Sequence, residues 1–256
     1  GNDTLSASHY SSNTIEGGAG DDLIKVVDRY YGYTGYVNTF AGGAGNDRIE
    51  SGASTDTYLF NRGDGQDTIN DDFYGYYEAY YGHIYAPGAD KLVFGAGIAA
   101  SDINAVRSGD NLIITVADPA NPLATDQLTI ENWSSGYNRI EQVEFADGSV
   151  WTAAQLSDLS MTGTDAAEIL TLWSDSAMAD ARGGDDTILS GSSNAIISGG
   201  DGNDTITDAD GSDTIDGGAG DDVITDTGSG VNVLRGGDGN DTLSASHYSS
   251  NTIEGG

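Results

Sequence analysis

Large apolar residues recur at a fixed nine-residue interval along much of this chain. Leu170, Ala179, Ile188, Ile197, Ile206, Ile215 and Ile224 are nine apart, and Leu234, Leu243 and Ile253 follow at ten, nine and ten. Near the start, Ile15, Ile24, Phe40, Ile49 and Tyr58 keep the interval, apart from seven extra residues between Ile24 and Phe40. Apolar faces repeat every 3.6 residues in a helix and every 2 in a strand, so nine is neither period. It fits a strand of about three residues followed by a six-residue turn, with one apolar side chain per strand pointing inward. Such a unit cannot bury its apolar face alone and must stack on copies of itself.

The turns between these residues share a pattern: GGAGDDLI at 17–24, GGAGNDRI at 42–49, GGDGNDTI at 199–206, GGAGDDVI at 217–224 and GGDGNDTL at 236–243. The pattern G-G-x-G-x-D-x-U-x, with U apolar, resembles the RTX (repeats-in-toxin) haemolysin-type calcium-binding nonapeptide repeat. The resemblance implies an all-β, right-handed parallel β-roll (a β-solenoid) formed with several Ca²⁺ ions. In that family two nonapeptides make one coil, turns alternate between two sides, and each ion lies between turns of adjacent coils. Calcium takes 6–8 hard oxygen ligands, and glycine lets backbone carbonyls converge while the sixth-position Asp adds charge.

Sorting the turns by side predicts an asymmetry. One side carries Asp186, Asp204, Asp222, Asp241 (repeated as Asp3), Asp22, Asp47 and Asp67 at the sixth position. The expected metal sites combine these with Gly18, Gly20, Gly43, Gly45, Gly63, Gly65, Gly184, Gly200, Gly202, Gly218, Gly220, Gly237 and Gly239. The other side has Ala195, Asp213, Asn232, Asn251 (repeated as Asn13), Asn38 and Asp56. Asn lacks the charge, so this side reads as largely decayed, with Asp213 kept as a candidate ligand. Asp208 and Asp210, in DADGSD at 208–213, are weaker candidates there.

A longer repeat encloses the short one. Residues 1–18, GNDTLSASHYSSNTIEGG, recur unchanged at 239–256, a spacing of 238. The expected organisation is a β-roll at 1–70 continuing from a previous unit, a Tyr-rich loop with an inserted antiparallel β segment at 71–162, and a β-roll at 163–256 continuing into the next. KLVF (91–94), NLIITVA (111–117), DQLTIENW (126–133) and RIEQVEFADGSVW (139–151) read as the insert's strands, bounded by turn residues. This stretch is similar to a segment that accompanies RTX repeats in large bacterial proteins. Trp133, Phe145 and Trp151 read as core. Ten of the 14 tyrosines fall in 29–36 and 72–85, which suits a contact surface for glycans or other fibres.

With 41 acidic and 9 basic residues, net charge −32, the chain is ill suited to nucleic acid and repels itself unless cations intervene. There is no Cys, no apolar run long enough for a membrane span, and no HExxH, GxSxG or P-loop motif. Arg62-Gly63-Asp64 spells an adhesion tripeptide but sits inside a calcium-type turn. These features point to a secreted, extracellular or cell-surface, non-enzymatic, calcium-binding repeat of a fibre or adhesin. Its partners would be neighbouring repeat units, and the resemblance implies type I secretion. An accessory module of a secreted enzyme is the alternative; the long exact repeat favours the array.

Overall fold

A computed structural model describes the chain apart from residues 9–10, 28–35, 53, 72–88, 136–137, 175, 192–193 and 248–249. It forms two compact units, Gly1–Ala153 and Ala154–Gly256. In the second unit, odd and even strands separate into two sheets. Even-numbered β14 (Ile169–Thr171), β16 (Thr187–Leu189), β18 (Thr205–Asp208), β20 (Val223–Asp226) and β22 (Thr242–Ser244) make one. The facing sheet holds β15 (Met178–Asp180), β17 (Ile196–Asp201), β19 (Thr214–Ala219), β21 (Val233–Asp238) and β23 (Thr252–Glu254).

Every pair in these two sheets is parallel, and the apolar ladder sets the register: Ile188 faces Ile206, Ile206 faces Ile224, and Ile197 faces Ile215. Two nonapeptides therefore close one coil. Ile188, Ile197, Ile206, Ile215, Ile224 and Leu234 are all buried between the sheets. A short helix, α1 (Ala153–Leu159), precedes the first coil, and Trp173 Nε1 donates to Ser160 Oγ at 2.8 Å just beyond it.

The first unit follows the same rule with larger side chains. One sheet runs through β1 (Thr4–Ser8), β3 (Leu23–Val27), β5 (Arg48–Glu50), β7 (Gln66–Asn70) and β11 (Gln127–Ile130), all parallel. The other runs through β2 (Asn13–Ala19), β4 (Val37–Ala44), β6 (Thr55–Phe60), β8 (Lys91–Phe94) and β12 (Gln142–Glu144), also parallel. Aromatic rings stack along this second sheet: Phe40 on Tyr58 at 5.5 Å and Phe94 on Phe145 at 5.4 Å between centroids.

Residues 91–151 depart from the expected insert. Among the described residues, antiparallel pairing is confined to β9 (Ile103–Ser108) with β10 (Asn111–Val116), β10 with β11, and β12 with β13 (Val150–Thr152). KLVF, QLTI and QVE are strands of the roll itself, and they extend its parallel sheets by another coil. The segment from 71 onward is thus not a body apart from 1–70. Alternating apolar residues look alike in parallel and antiparallel strands, so only the partner decides. Trp133 and Phe145 are buried as expected, while Trp151 is half-buried against Phe145.

Candidate metal sites

Each GGxGxD turn is tied to the next coil by two side-chain ladders that run in opposite directions. The sixth-position Asp accepts, through Oδ1, the backbone N–H of its counterpart one coil earlier. In the first unit Asp3 donates to Asp22 at 2.7 Å, Asp22 to Asp47 at 2.7 Å and Asp47 to Asp67 at 2.9 Å. In the second, Glu168 donates to Asp186 at 2.7 Å, Asp186 to Asp204 and Asp204 to Asp222 at 2.8 Å, and Asp222 to Asp241 at 3.0 Å. The fifth position reverses the sense: the Asn203 N–H donates to Asp185 Oδ1, Asp221 to Asn203, and Asn240 to Asp221, at 2.7–2.8 Å. Sequence reasoning passed over this second ladder, although the fifth residue is Asp or Asn in every GGxG turn.

The sixth-position ladder uses only one oxygen of each carboxylate. Oδ2 of Asp22, Asp47, Asp186, Asp204, Asp222 and Asp241 is enclosed without a hydrogen-bond partner. An enclosed anionic oxygen left bare is costly, and its repetition in register makes it a designed feature. Where the turn begins with glycine, as it does for Asp22, Asp47, Asp204, Asp222 and Asp241, that glycine shows what the bare oxygen faces. A Cβ on Gly199 would lie 2.3 Å from Asp204 Oδ2 and 2.5 Å from the Gly217 carbonyl oxygen one coil on. On Gly217 the corresponding distances are 2.3 Å to Asp222 Oδ2 and 2.6 Å to Gly236 O. A carboxylate oxygen and a carbonyl from the adjacent coil thus converge beside Gly17, Gly199, Gly217 and Gly236, leaving no room for a side chain. Gly42 is crowded in the same way by Asp47 Oδ2. Hard oxygens so gathered fit Ca²⁺. The repeat pattern points to the second and fourth glycines of the motif, not to these first ones. At the second position the backbone is left-handed, as at Gly218 with φ +107°, and a Cβ would lie 2.1 Å from Gly200 O.

Electrostatics agree. Burial, reinforced by neighbouring aspartates, raises the carboxyls of Asp47, Asp186, Asp204 and Asp222 above their ordinary 3.8. Asp67 is pushed up to about 8, first by burial and then by Asp47, Asp64 and Asp126. Asp67 joins its ladder through Oδ1, whereas Asp3 lies exposed at the first coil.

The opposite side keeps the ladder while changing its chemistry. Ala195 donates to Asp213 Oδ1 at 2.6 Å, Asp213 to Asn232 Oδ1 at 2.8 Å, and Asn13 to Asn38 Oδ1 at 3.2 Å. This side is less decayed than its sequence suggests, because Asp56, Asp208 and Asp213 each retain an enclosed Oδ2 with no partner. Asp210 is not one of them: it accepts from the Ser229 N–H and Oγ at the surface. In the RGD tripeptide, Arg62 donates to the Gly97 and Ala117 carbonyls and to Asp102, and Asp64 is buried. The tripeptide is therefore structural. The Tyr-rich stretches, apart from Tyr36, lie outside the described residues.

Comparison with known families matches residues 10–25, 33–69, 189–224 and 226–246 to the RTX calcium-binding nonapeptide repeat. Residues 111–155 match the haemolysin-type calcium binding protein related domain. The iron-regulated protein FrpA of Neisseria meningitidis serogroup C is 34% identical over 115 residues, which cover 44% of this chain and 9% of that protein. The crystal structure of the extracellular lipase LipA from Serratia marcescens aligns over 88% of this chain and 32% of its own, at 14% identity and a TM-score of 0.29.

Proposed function

We propose, for a chain that belongs to the RTX calcium-binding repeat proteins, that it is a non-catalytic unit of a tandem, calcium-stiffened solenoid in a secreted fibre or adhesin. The observation carrying this reading is the behaviour of the duplicated segment. In its 239–256 copy it receives the preceding coil: Val223 pairs with Thr242, and the Asp222 N–H donates to Asp241 Oδ1. In its 1–18 copy the same segment offers its other edge: Thr4 pairs with Leu23, and the Asp3 N–H donates to Asp22 Oδ1. Read as one segment, it accepts a coil before it and continues into a coil after it. The spacing of 238 residues would then add a full unit each time.

Calcium supplies the missing counter-charge. At the first-glycine cradles, the bare Asp oxygens and the carbonyls of adjacent coils would hold each ion, so filling the sites clamps coil to coil. Extracellular calcium modules bind with Kd on the order of 10⁻⁴–10⁻³ M, which suits folding after export, as expected for type I secretion. Fibre-to-fibre or glycan contact, as in a biofilm, would fall to the Tyr-rich stretches.

The test is electron microscopy of chains holding one, two and four 238-residue units, in calcium and in chelator. Length that grows with unit number in calcium and collapses on chelation supports the reading. Compact particles that do not lengthen would overturn it in favour of an accessory module of a secreted enzyme.

A further inference from the structure

Three carboxylates outside the GGxGxD turns meet inside the first unit. Asp56 lies in β6, Asp71 directly follows β7 and Asp90 directly precedes β8. One oxygen from each lies within 4.8 Å of the other two. Their exposures are 0%, 3% and 3%. The turn before Asp56, SGASTD at 51–56, lacks the GGxG glycines, and Asp71 and Asp90 flank residues 72–88 in the chain.

The Asp71 and Asp90 carboxyls bond each other, whereas one oxygen of Asp56 is left bare. Asp56 Oδ1 accepts from Asn38 Nδ2 and Ser54 Oγ, each at 2.8 Å, yet its Oδ2 has no partner although the residue is wholly buried. Asp90 Oδ1 accepts the Asp56 N–H at 2.5 Å. Asp71 Oδ1 accepts from Ser51 Oγ at 2.9 Å and from the Tyr58 hydroxyl. A fourth carboxylate adjoins them, since Glu141 Oε2 accepts the Asp90 N–H at 2.6 Å. The Lys and Arg ion pairs among the described residues lie elsewhere. Burial raises all three carboxyls, Asp56 to about 6, Asp90 to about 7 and Asp71 well above its ordinary value, and neighbouring carboxylates push Asp90 and Asp71 further in the same direction.

We infer that Asp56, Asp71 and Asp90 form a separate divalent-cation site, suited to Ca²⁺, built into the side of the roll that lacks the glycine motif. Among the described residues no Lys or Arg pairs with this buried anionic cluster, and such a cluster needs either protons or a metal. The bare Asp56 Oδ2 and the convergence of three hard oxygens favour the metal. Such an ion joins Asp71, at the end of β7, to Asp90, at the start of β8, and ties both to β6. This inference shares calcium with the proposed function, but it does not depend on the GGxGxD rows.

Anomalous scattering from crystals of the chain grown in Ca²⁺ tests it, together with ion counting by native mass spectrometry of wild type, Asp71→Asn and Asp204→Asn. The side-chain amide introduced by Asp71→Asn keeps an acceptor oxygen for Ser51 and Tyr58, which preserves the fold. The expected result is an anomalous peak bonded to Asp56, Asp71 and Asp90, with one ion fewer in Asp71→Asn while the GGxGxD rows stay filled. Filled rows with no peak between the three carboxylates, or an unchanged count in Asp71→Asn, would overturn the site and leave the proposed function standing. Empty rows and an empty cluster would overturn both.

Discussion

Asp213 donates its backbone N–H to Asn232 Oδ1 at 2.8 Å, the same bond that Asp204 makes to Asp222 Oδ1 on the other row, also at 2.8 Å. The ladder needs one acceptor oxygen, which Asn and Asp supply equally. The second oxygen separates them: Asp222 holds a bare Oδ2, and Asn232 holds a buried Nδ2 that has no partner. The ladder and the proposed calcium contact thus fall to different atoms of one side chain.

That separation predicts opposite effects for two isosteric changes. Asp204→Asn keeps the ladder and the calcium-free fold but loses a charged ligand, weakening binding at its turn by roughly tenfold or more, on the order of 1.5–3 kcal/mol. Asn232→Asp adds a bare oxygen beside Asp213, so it should lower stability in chelator and raise it in calcium. Thermal unfolding of each variant with and without calcium measures both, and parallel shifts in the two conditions would refute the division of labour.

The first glycine should behave as a metal-site residue. In Gly217→Ala the new methyl meets Asp222 Oδ2 at 2.3 Å and Gly236 O at 2.6 Å, which forces apart the two oxygens that would hold the ion. One bound ion fewer is expected in a calcium titration. Gly191→Ala meets nothing within 4 Å and should stay within about 0.5 kcal/mol of wild type. Gly218→Ala instead carries the left-handed penalty of about 1–2 kcal/mol and should destabilise the fold even in chelator.

Acid should partly replace calcium. A carboxyl raised by folding binds its proton more tightly in the folded state, so its stabilising share is complete below the unfolded value and is lost as pH rises through the folded one. For Asp67 that window runs from the ordinary 3.8 to about 8. The calcium-free chain should therefore gain β structure as pH falls through this range, read by circular dichroism in chelator. Calcium affinity should fall over the same range, because protons compete for the same oxygens. A calcium-free fold that weakens steadily on acidification from neutral pH would contradict the raised carboxyls.

Chelation at neutral pH is the bluntest test. With a net charge of −32 and rows of bare carboxylates, the calcium-free chain should be markedly less stable and lose part of its β spectrum. Calcium should restore it over a narrow, cooperative range, because each ion between adjacent coils favours the next. An unchanged β spectrum in EDTA would contradict the coupling of metal to fold.

The roll was legible in the chain because its determinants are local. The nine-residue ladder from Ile188 to Ile224 fixes which side chains face inward, and the six-residue turns fix which aspartates share a side. The roles of β8 and β11 were not legible. Ile69 pairs with Ile130 across the whole of the intervening segment, and no local pattern in QLTI distinguishes a parallel partner from an antiparallel one.

By itself the sequence determined the period, the coil of two nonapeptides, the calcium chemistry and the exact recurrence of 1–18 at 239–256, since each is a matter of residue type at fixed spacing. Only the tertiary structure decided which oxygens are left over. One carboxylate oxygen of Asp22, Asp47, Asp204 or Asp222 is consumed by the coil before it, and the other is sealed beside a first glycine. Asp56, Asp71 and Asp90, separated along the chain, meet only because β6, β7 and β8 bring the ends of their turns together. A metal site is a convergence of atoms in space, and spacing along a chain predicts it only where the same turn repeats.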